Sequence, residues 1–144
     1  MLDLHGIAAT RLAALGQRYT SIRRAIVEVF EAADRPLSIP DLLKADDGFV
    51  QSSVYRNLTV LELAGIAHRV VTTGEFARYE LAEDLTEHHH HLICSGCGVV
   101  DDFVVPDALE QSVDQQLRRI SRKQGFQPSG HRLDVIGLCA SCTA

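Results

Sequence analysis

Apolar residues recur at helical spacing through Ile22, Ile26, Val27, Val29 and Phe30, and further along the chain the period shortens to alternating runs. Thr20 or Ser21 stands where an N-cap is needed, so this spacing predicts a helix that ends at Arg35-Pro36. Ser38 caps a short second helix, Ile39 to Lys44, with proline in its permitted first turn. Asp46-Asp47-Gly48 is a turn. Gln51-Ser52-Ser53 then opens a third helix that carries Val54, Leu58, Leu61 and Val60 on one face and stops at Gly65. His68 to Val71 and Arg78 to Leu81 read as strands around a hairpin at Thr72-Thr73-Gly74-Glu75. Helix, short helix, turn, helix and hairpin is the order of a winged helix-turn-helix.

The second half differs in kind. His91 to Cys94 and Val99 to Val105 read as strands flanking the turn Ser95-Gly96-Cys97-Gly98. Pro106 and Asp107 begin a long helix expected to turn Leu109, Val113, Leu117 and Ile120 inward, with Gly125 as its stop. Arg132 to Leu138 alternates as a final strand. The fold class expected is α+β: a winged helix followed by a small α/β unit with a three-stranded sheet and one long helix. Such a unit is too small to cover its own sheet, so a partner chain is expected.

Composition narrows the function. At 144 residues the chain is 46% hydrophobic and 23% charged, and no apolar run approaches the roughly 20 residues that cross a bilayer. Asp3, His5 and Arg11 interrupt the start, which therefore lacks the apolar stretch of a secretory signal, and a cytoplasmic, membrane-free protein is expected. The net charge of −5 is uneven: 9 Lys/Arg stand against 10 Asp/Glu up to Glu80, a balance of −1, and 5 against 9 after it, a balance of −4. A near-neutral half able to meet nucleic acid is joined to an acidic half able to hold cations.

All four cysteines fall in two pairs, Cys94-x-x-Cys97 and Cys139-x-x-Cys142, with 41 residues between them. Thiols in a reducing compartment are more often metal ligands than disulfides. Two thiolates spaced by two residues on a tight turn can face one ion, and four close a tetrahedral zinc site with no open position, which serves structure. A run of four histidines, His88 to His91, lies just before the first pair. On an extended segment His89 and His91 face one side and His88 and His90 the other. His68 and Glu80, at the base and end of the expected wing, are candidate partners for the first set. His131 and either Glu110 or Asp114 are candidates for the second. Imidazole and carboxylate donors suit zinc, iron(II), manganese or cobalt in exchangeable sites, and ligands from both halves would couple occupancy to their relative orientation.

The string His88-His89-His90-His91-Leu92-Ile93-Cys94-x-x-Cys97-Gly98, preceded by Arg78-Tyr79-Glu80 and followed by Gly137-Leu138-Cys139-x-x-Cys142, resembles the ferric uptake regulator family. Ser53-Val54-Tyr55-Arg56-Asn57-Leu58 resembles that family's recognition helix, and Arg18-Tyr19-Thr20 with Arg23 its approach to the first DNA-binding helices. The resemblance spans nearly the whole chain. It implies a homodimeric, metal-dependent repressor of metal-acquisition genes, with a DNA-binding domain over residues 1–81, a hinge at 82–87 and a dimerisation domain over 88–144. Structural zinc maps onto Cys94, Cys97, Cys139 and Cys142. The regulatory site, for Zn²⁺ or Fe²⁺/Mn²⁺, maps onto Glu80, His89 and His91, and a third site onto His88, His90, His131 and Glu110 or Asp114. Iron- and peroxide-sensing members usually supply a histidine just before the second helix, where this chain has Pro36. Zinc-sensing members instead use a residue just after the recognition helix, where His68 stands, so the resemblance favours the zinc uptake branch with His68 as fourth ligand. Zinc-sensing members often carry cysteine at the Glu80 position and peroxide sensors aspartate.

On a double-stranded operator, Ser52, Ser53, Tyr55 and Arg56 occupy the stretch that enters the major groove. Arg56 can fork onto guanine or phosphate, and Tyr55 can meet a thymine methyl. Arg18 is expected in an adjacent minor groove, and Arg23 and Arg69 on phosphates. The competing functions are a zinc-ribbon interaction module without DNA binding and a zinc hydrolase. The second lacks a helical His-Glu-x-x-His signature in this sequence.

Overall fold

The computed structural model describes residues 2–70, 72 and 77–144. It opens on a helix, α1 (Leu4–Ala14), where the sequence analysis placed no element. Leu4, Ala8 and Leu12 repeat every four residues and are buried, and Asp3 caps the helix by accepting from the Gly6 N–H at 3.0 Å. Then follow α2 (Ser21–Ala32), β1 (Leu37–Ser38), α3 (Ile39–Ala45), α4 (Gln51–Leu63), β2 (Ala67–Val70) and β3 (Arg78–Leu81).

Local chemistry sets these boundaries. The Thr20 hydroxyl accepts from the Arg23 N–H at the start of α2. Ser38 and Asp41 form a reciprocal capping box at α3, with proline in its first turn. Gly65 takes φ +71° after α4, a left-handed conformation that glycine adopts without strain and that turns the chain into β2. The two-residue β1 is new; it pairs with β3, giving a sheet of order β1-β3-β2. Thr73, Gly74 and Glu75 of the expected hairpin, and Val71 at the end of the expected strand, lie outside the described residues.

Ile26, Val27 and Phe30 of α2, Leu42 of α3, and Val54, Leu58 and Leu61 of α4 form one core with Ile66, Tyr79 and Leu81. A 3-10 turn at Glu83–Leu85 then leads out of the wing; its Leu85 is buried against that same core. Arg11 of α1 holds this passage from outside, donating from Nη1 to the Gly65 carbonyl at 2.6 Å and pairing through Nη2 with Asp84.

The second half contains β4 (His90–Cys94), β5 (Val100–Phe103), α5 (Asp107–Lys123), β6 (Asp134–Gly137) and a last helical turn, α6 (Ala140–Thr143). The strand order is β5-β4-β6, with β5 antiparallel and β6 parallel to the central β4. Gly98 (φ +79°) makes the β4–β5 turn, and Gly125 (φ +68°) follows α5. Val70 of the wing packs on Ile93 and Val100 of this sheet, and the Thr72 hydroxyl donates to the Gly98 carbonyl.

One expectation fails within the single chain. Leu109, Leu117 and Ile120 of α5 are exposed rather than inward, and no residue of that helix is fully buried. The apolar stripe is present, but among the described residues no element covers it. Leu133, just ahead of β6, and Val135 and Ile136 on it are open in the same way. Among the described residues, no helix is long and apolar enough to cross a membrane.

Candidate metal centres and DNA-reading face

Alternation that begins at His88 and His89, just ahead of β4, and continues along the strand sorts the histidines. His89 and His91 reach one cluster and His88 and His90 another, while Cys94 at the end of the strand reaches a third. In each cluster the donor atoms all lie within 4.8 Å of one another.

The first cluster joins the two halves of the chain. Glu80 of β3 stands between two histidines: His89 Nε2 donates to Oε2 and His91 Nε2 to Oε1, both at 2.9 Å. Asp102 of β5 completes the group, with Oδ1 3.5 Å from His91 Nε2 and 3.8 Å from His89 Nε2. The β4–β5 register places it there, since His91 pairs with Asp102. The remaining ring nitrogens are engaged elsewhere. His89 Nδ1 donates to the Glu87 carbonyl at 2.8 Å, and His91 Nδ1 lies 3.5 Å from Asp134 Oδ1. Such outer partners fix the tautomer that turns Nε2 toward an ion.

Burial alone would raise the Glu80 carboxyl pKa, but the hydrogen bonds and charge of His91 and His89 outweigh it and hold it low. Burial would lower both histidines, and Glu80 and Asp102 instead raise them. Asp102 is pushed up to about 6 by burial and by the neighbouring Glu80 charge. Two carboxylates crowded at a buried site repel until a cation joins them, and the buried Asp102 Oδ1 has no hydrogen-bond partner. Both features fit a divalent ion.

His68 is placed differently from the sequence expectation. It sits directly across the β2–β3 ladder from Glu80 and lines the same cavity of about 300 Å³, yet it lies outside the donor cluster. Burial and the nearby Arg132 charge lower its pKa. The fourth donor gathered with Glu80, His89 and His91 is Asp102, a residue the sequence expectation did not include. The signal was available, because a hairpin turning at residues 95–98 sets position 102 opposite position 91.

In the second cluster, His90 Nε2 and His88 Nε2 donate to the two oxygens of Glu110 at 2.8 and 3.0 Å. His131 Nε2 lies 2.5 Å from Glu110 Oε1 without hydrogen-bonding geometry, leaving that buried nitrogen unpartnered. Glu110, rather than Asp114, is the carboxylate gathered here. Asp114 lies one turn further along α5 and pairs with Arg118, whose Nε is 3.1 Å from Oδ2. His88 is backed by Glu83 of the 3-10 turn through Nδ1.

Cys94, Cys97, Cys139 and Cys142 form the third cluster. The backbone N–H groups of Cys97 and Cys139 donate to Cys94 Sγ at 3.4 and 3.3 Å and bring its pKa down to about 6. The neighbouring sulfurs of Cys139, Cys94 and Cys97 push Cys142 up to about 12, the behaviour of thiols that cannot all ionise without a cation. A Cβ on Gly96 would stand 3.1 Å from Cys142 Sγ, so glycine lets the second pair approach the first. Four converging thiols fit a closed tetrahedral zinc site.

At the other end of the molecule, Ser52, Tyr55 and Arg56 are exposed on the first two turns of α4, with Ser53 half-buried beside them, and Arg18 is exposed ahead of α2. Arg69 is occupied by Glu62 (3.3 Å) and by the face of Tyr79 (5.3 Å to the centroid). Arg23 is likewise engaged within the protein, through Asn57, Gln17 and the Arg18 carbonyl.

A winged helix tied through an interdomain histidine-carboxylate cluster to a thiol-stapled sheet defines a metal-responsive DNA-binding regulator. Comparison with known proteins agrees. The model of the ferric uptake regulator family matches residues 14–136. The ferric uptake regulation protein of Bordetella parapertussis is 32% identical over 133 residues, covering 89% of this chain and 91% of the relative. A structure of the ferric uptake regulator from Francisella tularensis with iron aligns at TM-score 0.68 and 30% identity, over 90% of this chain and 96% of that one. A zinc-bound manganese uptake regulator aligns at TM-score 0.66 and 30% identity, over 96% and 99%. The chain belongs to the ferric uptake regulator family, whose members are metal-responsive transcriptional regulators that bind DNA as dimers.

Proposed function

We propose that this chain is a cytoplasmic repressor of metal-uptake and metal-homeostasis genes that binds a double-stranded operator as a homodimer. Its domains are residues 1–81 and 88–144, joined by a hinge at 82–87. The observation that carries the reading is the first cluster. Glu80 comes from the wing, and His89, His91 and Asp102 come from the C-terminal sheet, with all four donors within 4.8 Å. A divalent cation held there supplies a bond between the halves and so favours one orientation of the recognition helix.

Two imidazoles and two carboxylates suit Zn²⁺, Fe²⁺ or Mn²⁺. His68 as a ligand would favour the zinc branch, while the grouping of Asp102 with Glu80, His89 and His91 supports Asp102 as the fourth donor. The four thiolates hold structural zinc, and His88, His90, Glu110 and His131 form a further site. The exposed apolar residues of α5 and β6 support a dimer interface on that face. Arg56, Tyr55, Ser52 and Ser53 read the major groove, and Arg18 the minor groove.

The test is a titration of DNA with each metal and with a chelator, in wild type and Arg56→Ala. Arg56→Ala should weaken binding by about 1–3 kcal/mol with metal content and dimer intact. Binding that ignores chelator, or an unchanged affinity in Arg56→Ala, overturns the reading.

A further inference from the structure

Arg23, in the first turn of α2, is half-buried, and its guanidinium bridges the segment ahead of α2 and the helix α4. Its Nε donates to Asn57 Oδ1 of α4 at 2.8 Å. Its Nη1 donates to Gln17 Oε1 at 3.0 Å and to the Arg18 carbonyl at 2.7 Å. Asn57 passes the connection on, donating from Nδ2 to the Ser53 carbonyl at 2.8 Å and hydroxyl at 3.3 Å. On its other side the same segment is held by α1, where Tyr19 and His5 Nδ1 are hydrogen-bonded at 2.7 Å. Three of the five guanidinium N–H donors are thus engaged inside the protein, in the fork geometry that a lysine cannot reproduce.

We propose that Arg23 is a positioning residue for sequence readout rather than a phosphate contact. It clamps the Gln17–Arg18 segment to the recognition helix, so that Arg18 and the residues Ser52, Tyr55 and Arg56 meet the duplex in one fixed register. The assignment rests on the DNA-binding reading above. Hydrogen bonds to base edges demand that separate reading elements stay aligned, whereas phosphate contacts only attach and orient the protein. A loosened clamp therefore costs affinity for the matched sequence and spares general affinity for DNA. A phosphate contact behaves in the opposite way, because its loss weakens binding to all sequences alike and reduces the salt slope.

The probe is a duplex enriched from a random-sequence pool by metal-loaded wild-type protein, compared with a scrambled duplex of the same composition across a salt series. Arg23→Lys and Asn57→Ala should each lose about tenfold or more on the enriched duplex, while the scrambled duplex and the salt slope stay at wild-type values. Arg23→Ala combined with Asn57→Ala should cost no more than the larger single change, since both remove the same connection. A domain that was only destabilised would lose both duplexes together. Arg23→Lys matching wild type on the enriched duplex overturns the assignment. So does an Arg23→Ala loss that is equal on both duplexes with a slope smaller by about one. A wild type that enriches no duplex overturns the DNA-binding reading itself, and the assignment with it.

Discussion

His68 and Glu80 face each other across the β2–β3 ladder, yet only Glu80 reaches the histidines of the C-terminal sheet. The two line one cavity together with Arg132, whose charge acts on His68. The wing therefore presents one anionic donor to the interdomain cluster and keeps an imidazole back from it.

That arrangement ranks the ligands. Glu80→Gln and Asp102→Asn should each weaken the exchangeable metal by more than the roughly 10–100-fold that loss of an outer-shell partner costs. His68→Ala should weaken it by less than about tenfold. Competition with a chelating dye measures all three. A His68→Ala loss as large as that of Glu80→Gln would put His68 in the ligand set and displace Asp102.

The thiol cluster carries a different consequence. Cys97→Ser and Cys139→Ser should each lose one tightly held zinc and unfold the C-terminal sheet. Structural zinc binds with about 10–16 kcal/mol in small peptides, as much as the whole stability of a typical domain. Elemental analysis with a thermal melt checks this; full zinc content with an unchanged Tm would show that the sulfurs are not ligands.

The open stripe on α5 predicts the assembly. Leu117 is 37% exposed and Ile120 56%. Charge placed there cannot be buried without a partner charge. Leu117→Asp and Ile120→Asp should convert a dimer to monomers in sedimentation while the zinc is retained. Dimers of wild-type stability would move the interface to another face.

Asp41 gives a pH dependence away from every cluster. Burial alone would raise its pKa, but the Ser38 backbone and hydroxyl, with Arg78 and Arg35, hold it below the usual carboxylate range. A carboxyl depressed in the folded state stabilises above its unfolded pKa, near about 3.9, and that stabilisation is lost as pH falls through the folded value. Asp41→Asn should cost about 1 kcal/mol at neutral pH. Urea midpoints should show the gap between variant and wild type narrowing as pH falls below the unfolded value of about 3.9. A gap independent of pH would assign the loss to packing.

What was legible in the sequence was local. The Cys-x-x-Cys spacing and the alternation of four histidines into β4 fix which atoms share a face, and the three clusters follow that pattern. Asp102 and β1 depended on pairing between strands, which composition does not reveal. Glu110 and Asp114 are both on α5, and only the docking of that helix chose between them. Leu109 and Ile120 read as inward because helical periodicity reports an apolar face without saying whose chain covers it. Leu4, Ala8 and Leu12 carry a helical spacing that is visible in the sequence.

The parallel pairing of β6 with β4 reaches past this sheet. The excursion from Ser95 to Leu133, which carries β5 and α5, is closed where it leaves and rejoins β4 by that ladder and by the four sulfurs. A protease that cuts in the exposed stretch after Gly125 would therefore leave two fragments behaving as one molecule, separable by chelator with mild denaturant. The ion in that ring would act as a removable cross-link, keeping a nicked chain together as a disulfide does in an oxidising compartment.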